Sequence, residues 1–278
     1  MKIGYDYVEA SHVPSLLLWV GLQFVASGVL TIAIYSICSQ KIVLPRKENW
    51  KGVALVFVLQ TVLQYSLLYI GLSFTTSVKG AILKSTDVFM VALIASLVFK
   101  LEKLTTKKLI SCVIGFLGIV VMNLDGLRLN FHPVGDGSIL IGMLAYSFSV
   151  IMTKLYAQKE DPIVLCGYQM SLGGGVVLLI GLLCNGKLDF AGLLPVFLCL
   201  SLIYAVAYTL WTILLKYNPA FSVTIYSFMV PVFGVLFTPL LLNENSGVAT
   251  PNLIFALVLV CIGIVLWGYE KKAVWGKR

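Results

Sequence analysis

The segment FKLEKLTTKK, residues 99–108, holds four lysines and separates two apolar stretches of the chain. Nine such stretches can be marked, and basic residues concentrate in every second segment between them. In chain order, the first to ninth stretches are 15–38, 52–74, 79–99, 109–123, 138–155, 163–184, 190–215, 221–242 and 252–269. Five alternate segments carry 15 of the 20 Lys and Arg residues, whereas the other five carry only Lys2, Lys79, Arg128 and Lys187. Basic segments stay on the cytoplasmic side during insertion, so the alternation predicts nine membrane crossings, with the amino end outside and the carboxyl end in the cytoplasm.

The composition agrees with an all-α integral membrane protein, a bundle of nine transmembrane helices. Hydrophobic residues make up 59% of the chain, charged residues 12%, and the mean hydropathy is +0.98, whereas soluble domains carry about 25% charged residues. Most stretches reach the roughly 17–25 residues that cross a bilayer. The fourth stretch is the shortest and needs a locally thin bilayer, or snorkelling of Lys107 and Lys108 to the interface.

The placement of the charged, cysteine and histidine residues disfavours several functional classes. The net charge of +8 lies mostly in short loops beside predicted helices, where membrane topology and anionic lipids explain it better than nucleic acid does. The six cysteines are scattered singly, and His12 and His132 have no Cys or His at metal-ligand spacing. We therefore expect no metal, no cofactor and no nucleic-acid partner. No stretch contains a histidine and no second deep acid accompanies Asp87, so an enzyme is not expected.

The two halves of the chain carry similar markers in the same order, which predicts a first repeat at 1–126 and a second at 127–278. The third stretch ends near Glu102 and the eighth near Glu244. The charge rule places Glu102 inside and Glu244 outside, so the repeats are inverted. Inverted repeats are common in secondary transporters, whose substrate sites lie at the repeat interface; a duplicated bundle without transport is the alternative. The fifth stretch has no counterpart in the first repeat, so one helix before Met1 would complete a set of ten.

Motifs spread over the chain from about residue 15 onward resemble those of one transporter family. They are 68–72, 99–102 with Leu101-Glu102 at its end, 167–169, 173–175, 210–219, Pro231 and 242–244. In these motifs the chain is similar to the EamA-type transporters of the drug/metabolite transporter superfamily. The resemblance implies ten helices in two inverted five-helix repeats, which move small organic metabolites through a cavity walled by the first, third and fourth helices of each repeat.

This chain departs from the family pattern by lacking the family's first helix. Three explanations stay open: the true start lies upstream, the gene is truncated, or a homodimer or another partner supplies the missing wall.

Asp87 is the most unusual position, because it is the only one of the twelve acids deep inside a stretch. It lies about 12 Å below Lys79, near mid-membrane. Lys84 is the only deep base, three residues earlier on the same predicted helical face. The pair either lines a water-filled cavity, where it binds substrate or exchanges protons through Asp87, or forms a neutralising pair between helices.

Further candidate substrate-binding residues are polar or aromatic side chains within the stretches. Amides need a partner or water in hydrocarbon, and aromatic rings with a polar tip suit an organic-ligand cavity. Pro231 interrupts the eighth stretch and is a candidate hinge, because proline removes a backbone hydrogen bond. The binding candidates are Gln60, Gln64, Tyr146, Tyr204, Tyr208, Trp211 and Tyr226.

The sequence therefore predicts a secondary transporter or exporter of small organic metabolites, such as amino acids, related metabolites or drugs, in the cytoplasmic membrane. The alternative is a non-transporting membrane scaffold, or an inactive truncated remnant of a transporter.

The small residues Gly167, Gly174 and Gly181 recur at intervals of seven in the sixth stretch. Such a stripe lets another helix approach closely, and we expect packing there, not phosphate binding.

Overall fold

The structure, a computed structural model, describes residues 12–124, 130–188, 194–242 and 250–275. Helical structure is found in the described part of each predicted stretch, and no strand occurs within those described ranges. The architecture is that of an all-α membrane protein. Six stretches form uninterrupted α-helices: Val13–Cys38, Thr106–Met122, Pro133–Ala157, Pro162–Leu183, Leu194–Tyr217 and Thr250–Trp275.

The second, third and eighth stretches are interrupted helices. The second runs from Trp50–Phe57 through a π-helical turn, Val58–Leu63, into Gln64–Phe74. The third consists of Ser77–Lys84 and Asp87–Leu93, which Ser85 and Thr86 separate, and ends in the π-helical turn Ile94–Val98. The eighth consists of Ala220–Thr224, a 3₁₀ turn at Ile225–Phe228, and Met229–Leu242.

Among the described residues, seven helices are long and apolar enough to cross a membrane. The two predicted crossings outside this set are the fourth stretch, a 17-residue helix, and the eighth, whose apolar core is Ala220–Gly234. The count of nine crossings therefore stays a prediction. Glu244, which marks the end of the eighth stretch in the predicted repeat, lies outside the described residues.

Contacts divide the chain into two compact units, and each unit combines segments from both predicted repeats. The first unit comprises Met1–Ser73 and Phe148–Asn218. It contains the first, second, sixth and seventh stretches and the later part of the fifth helix. The second unit comprises Phe74–Ser147 and Pro219–Arg278. It contains the third, fourth, eighth and ninth stretches and the earlier part of the fifth helix.

Close backbone contact between the first and sixth stretches forms the core of the first unit. A Cβ atom on Gly174 would lie 2.7 Å from the Cβ of Phe24, and one on Gly181 would lie 2.6 Å from the backbone N of Leu18. Both distances are far below ordinary van der Waals contact, so neither glycine tolerates a side chain without movement of its neighbour. The glycine stripe is thus a helix-packing surface, as its spacing predicts.

A buried ion pair joins the segments at one end of the second unit. The Nζ of Lys108 lies 2.9 Å from the Oε2 of Glu102, and Lys108 is only 1% exposed. The ammonium also lies 5.1 Å from the ring centroid of Phe221 and 5.4 Å from that of Trp267. The other carboxylate oxygen of Glu102 accepts a hydrogen bond from the backbone N–H of Ala220. We call these five residues the charge clamp.

The charge clamp corrects one expectation about the fourth stretch. Lys108 does not snorkel to the interface, because its ammonium finds a carboxylate and two aromatic faces inside the unit. Lys107, one residue earlier, is exposed.

A second ion pair, between Lys79 and Asp136, joins the third stretch to the fifth helix. Asp136 is fully buried and also accepts hydrogen bonds from the Thr75 hydroxyl, at 2.9 Å, and from the backbone N–H of His132, at 2.7 Å. The third stretch is therefore anchored by buried charges near both of its ends and is broken between them.

Candidate functional site

Asp87 is the first residue of the helix that follows the break in the third stretch. Its side chain is 5% exposed, and the Val88 backbone N–H and the Ser227 side chain lie next to its carboxylate. The Oδ1 atom is buried and has no hydrogen-bond partner among the described residues. A buried carboxylate with one unsatisfied oxygen is costly, so this position is unlike an ordinary packing residue.

The backbone around Asp87 is interrupted because the regular hydrogen-bond ladder stops at Ser85 and Thr86. The Thr86 N–H bonds to the Leu83 carbonyl, three residues back, at 3.2 Å. The next regular bond runs from the Met90 N–H to the Thr86 carbonyl, at 3.1 Å. Both helices stop short of the break, which leaves the carbonyls of Lys84 and Ser85 outside the ladder.

Lys84 and Asp87 have different environments in the structure. Lys84 is exposed, whereas Asp87 is buried. The lysine acts on the carboxylate electrostatically, but the close ion pairs among the described residues of this unit are Lys79–Asp136 and Lys108–Glu102. Ser85 and Thr86 lie between the two residues, so Lys84 and Asp87 do not belong to one unbroken helix.

In the predicted repeat, the break in the eighth stretch corresponds to the break in the third. Glu102 and Glu244 are 142 residues apart, and the same offset makes Ser85 and Thr86 correspond to Ser227 and Phe228. Phe228 ends the 3₁₀ turn, and Pro231 follows one turn later with no N–H for the Ser227 carbonyl. Val88, which follows the first break, shares a buried cluster with Ile225 and Phe228 of the second, so the two breaks pack against each other.

The first unit holds five of the other candidates: Gln60, Gln64, Tyr204, Tyr208 and Trp211. Tyr204 and Tyr208 pack around Phe24 of the first stretch, with ring centroids 5.9 Å and 5.5 Å away. Tyr65 of the second stretch lies 4.9 Å from Phe24, and its hydroxyl is hydrogen-bonded to that of Tyr208. We call Phe24, Tyr65, Tyr204 and Tyr208 the aromatic cluster.

Gln60 and Gln64 are both buried in the same unit, at 6% and 5% exposure. The Oε1 atom of Gln64 has no hydrogen-bond partner among the described residues, and the same holds for the Nε2 atom of Gln23. The second stretch therefore presents polar atoms whose hydrogen-bonding capacity is not used within the described chain.

The remaining candidates do not gather at one place. Tyr146 lies on the fifth helix and is half-buried, as is Trp211 on the seventh stretch. Tyr226 is 57% exposed and lines an apolar groove of about 500 Å³ with residues of the eighth and ninth stretches. No group of three or more His, Cys, Asp or Glu side chains that could hold a metal ion occurs within the described residues.

Sequence reasoning missed Ser227, Phe24 and the break at Ser85 and Thr86. The offset between the two halves pairs Ser227 with Ser85 and could have found it. Phe24 is one apolar residue among many, and only its neighbours in three dimensions distinguish it.

A family model for the EamA-like transporter family matches residues 8–124 and again 133–269. Three relatives, each described only as an uncharacterized transporter, were found in distant organisms. YvbV of Bacillus subtilis is 23% identical over 262 residues, which cover 92% of this chain and 84% of that protein. The protein sll0355 of Synechocystis is 24% identical over 240 residues, 78% of this chain and 72% of that protein.

The third relative, from Methanothermobacter thermautotrophicus, is 26% identical over 142 residues, which are 50% of this chain and 41% of that protein's length. A crystal structure of a protein with 16% sequence identity superimposes with a TM-score of 0.77 and covers 96% of this chain and 91% of that chain. This likeness concerns the fold alone.

Proposed function

The chain belongs to the EamA-like transporter family, and we propose that it is a secondary transporter that exports small organic metabolites by alternating access. The substrate class comprises amino acids, related metabolites or drugs. The observation that carries the proposal is the packing of two broken helices against each other, where Val88 meets Ile225 and Phe228. Secondary transporters build their binding sites from discontinuous helices at corresponding positions of two repeats.

Asp87 is the residue with the strongest claim to a role in the cycle. An isolated charge deep in a helix costs about 2.5–3.5 kcal/mol even on the insertion scale. A buried charge with this cost indicates a function, such as binding of substrate or exchange of a proton. We therefore assign Asp87 the coupling role, with Lys84 as an accessible neighbouring charge.

The other candidates have supporting roles in this proposal. Gln64 has a carbonyl oxygen without a hydrogen-bond partner among the described residues, and Tyr204 and Tyr208 present aromatic surface; both features suit an organic ligand. Pro231 serves as the hinge of the eighth stretch, beside the 3₁₀ turn. Support is weaker for four further candidates, which are polar or aromatic but lie outside the aromatic cluster: Gln60, Tyr146, Trp211 and Tyr226.

The proposed location is the cytoplasmic membrane, with the carboxyl end of the chain in the cytoplasm and its amino end outside. The basic residues in alternate loops support this orientation. A homodimer, or another chain that supplies a further helix, is a proposed partner beside the bilayer and the substrate. No catalytic reaction is part of the proposal.

The test is an export assay in a host that lacks its own exporters, screened over amino acids and toxic analogues. Expression of the wild-type chain is expected to raise resistance to at least one compound and lower its internal level. Asp87→Asn, at equal membrane abundance, is expected to abolish this effect.

The matched control is Ser96→Ala, which removes another buried, unpartnered oxygen from the same stretch and is expected to export normally. Equal export by wild type and Asp87→Asn would remove Asp87 from the mechanism. If no compound is exported by the abundant wild-type protein, the scaffold or remnant becomes the better account.

A further inference from the structure

Several oxygen atoms lie around Asp87, and among the described residues no Lys or Arg forms a close ion pair with its carboxylate. Its Oδ1 atom is buried and has no hydrogen-bond partner among the described residues, and the Ser227 side chain is next to the carboxylate. The Ser147 hydroxyl of the fifth helix lies 3.4 Å from the Asp87 backbone carbonyl. The carbonyls of Lys84 and Ser85 are free of the helical ladder. These groups are the ligand types that hard cations prefer.

The same position lies within an apolar core that cannot solvate a carboxylate. Val88, Ala92 and Phe228 belong to one buried hydrophobic cluster around it, and all three are at most 1% exposed. A buried charge is tolerated where it is paired or coordinates a metal ion. Lys84 does not supply a close pair, because its side chain is exposed and outside the ion pairs of this unit's described residues.

Two helix ends of opposite polarity meet at the break, because helix Asp87–Leu93 begins there with partial positive charge and helix Ser77–Lys84 ends there. The helix Ser77–Lys84 directs its carboxyl-terminal end, which carries partial negative charge, toward the break. Unwound carbonyls and the carboxyl ends of half-helices coordinate Na⁺ in transporters with discontinuous helices. The described residues offer no cluster of three acidic, His or Cys ligands, so a divalent or transition metal is poorly matched. One carboxylate among neutral oxygens suits a monovalent cation.

We propose that a sodium ion binds at Asp87, between its Oδ1 atom, the Ser227 hydroxyl and the carbonyls freed by the break at Ser85 and Thr86. The inference rests on the proposed transport function, for which it names the coupling ion. Binding neutralises the carboxylate and ties the third stretch to the eighth. Release of the ion leaves the charge uncompensated and frees the two breaks to separate.

The test is thermal unfolding of the purified full-length protein in detergent, at fixed pH and ionic strength, with Na⁺ replaced stepwise by choline. A ligand at 100 times its dissociation constant stabilises strongly enough to raise the midpoint by roughly 5 °C or more. The expected result is such a rise with Na⁺ for the wild type and its loss in Asp87→Asn. Ser227→Ala, which keeps the carboxylate, is expected to need at least tenfold more Na⁺ for the same shift.

The control is again Ser96→Ala, whose hydroxyl is buried and unpartnered but lies about 13 Å along the helix from Asp87. It is expected to respond to Na⁺ as the wild type does. A Na⁺ response that persists unchanged in both Asp87→Asn and Ser227→Ala would overturn the site. A midpoint that depends on pH but not on Na⁺ would overturn it in favour of a proton.

Transport in proteoliposomes separates this inference from the proposed function. If a solute moves at the same rate with and without Na⁺, the sodium site is wrong and the transporter assignment stands. If Na⁺ stabilises the wild type through Asp87 but no screened solute moves, the site stands and the assignment is in doubt.

Discussion

The two compact units are held together by different interactions. In the first unit, glycine backbones of the sixth stretch lie against the first stretch, and four aromatic rings pack around one another. In the second unit, buried ion pairs hold the ends of helices that are broken in the middle. The first unit is therefore held together mainly by close packing, and the second by buried ion pairs.

The difference has a consequence for movement. Close backbone packing has one good geometry, because a glycine surface fits only the helix that faces it. A salt bridge or a broken helix can be rearranged by a change in local charge, since its energy depends on which partners are present. We therefore expect the second unit to carry the conformational change and the first to stay rigid.

The largest effect is expected from breaking the charge clamp. Lys108→Met leaves the buried Glu102 carboxylate without its cation, and removal of one partner of a buried pair costs about 3–5 kcal/mol. The measurement is the free energy of unfolding in mixed micelles, or the loss of properly folded protein on size-exclusion chromatography. Lys107→Met, at the exposed neighbouring position, is expected to change stability little.

A double variant makes this prediction sharper. Adding Glu102→Gln to Lys108→Met removes the uncompensated charge, so the pair of changes is expected to be milder than the sum of the two single ones. Strict additivity would show that the two side chains do not act as a pair.

A smaller effect is expected from the glycine surface of the first unit. Gly174→Ala places a methyl group 2.7 Å from the Phe24 Cβ, and overpacking of this kind costs about 1–3 kcal/mol. Gly175→Ala is the matched control, because a Cβ atom there meets nothing within 4 Å. Thermal unfolding of the two variants side by side is the measurement. Equal midpoints would contradict the shape-based packing of this unit.

The smallest effect is expected within the aromatic cluster. Tyr208→Phe removes the hydroxyl that is bonded to Tyr65 and keeps the ring, so the loss is about 0.5–1.5 kcal/mol. Tyr226→Phe, at an exposed position, is the comparison and is expected to be nearly neutral in stability. A larger loss for Tyr226→Phe than for Tyr208→Phe would mean that the hydroxyl pair adds nothing.

Much of the helical framework was predictable because membrane helices need long apolar runs between charged ends. The first stretch, predicted at 15–38, forms Val13–Cys38, and the sixth, predicted at 163–184, forms Pro162–Leu183. In the eighth stretch, Pro231 predicts an interruption of the helix. The break at Ser85 and Thr86 has no such signal, since neither proline nor glycine marks it.

The partners of side chains were harder to foresee. Lys107 and Lys108 are adjacent residues of the same type, yet one is exposed and the other is buried against Phe221 and Trp267. Tyr204 and Tyr208 were candidates from their spacing, whereas Phe24, at the centre of their cluster, carries no polar signal. Such contacts depend on which helices become neighbours, and the hydrophobic pattern of one chain does not state that.

The proposed transport cycle depends on two halves of the chain that cross the membrane in opposite directions. The most direct test uses paired reporters, one active only in the cytoplasm and one only outside, fused after Lys103 and after Asn130. The predicted result is that Lys103 lies in the cytoplasm and Asn130 outside. Reporter activity that places both positions in the same compartment would contradict the inverted arrangement.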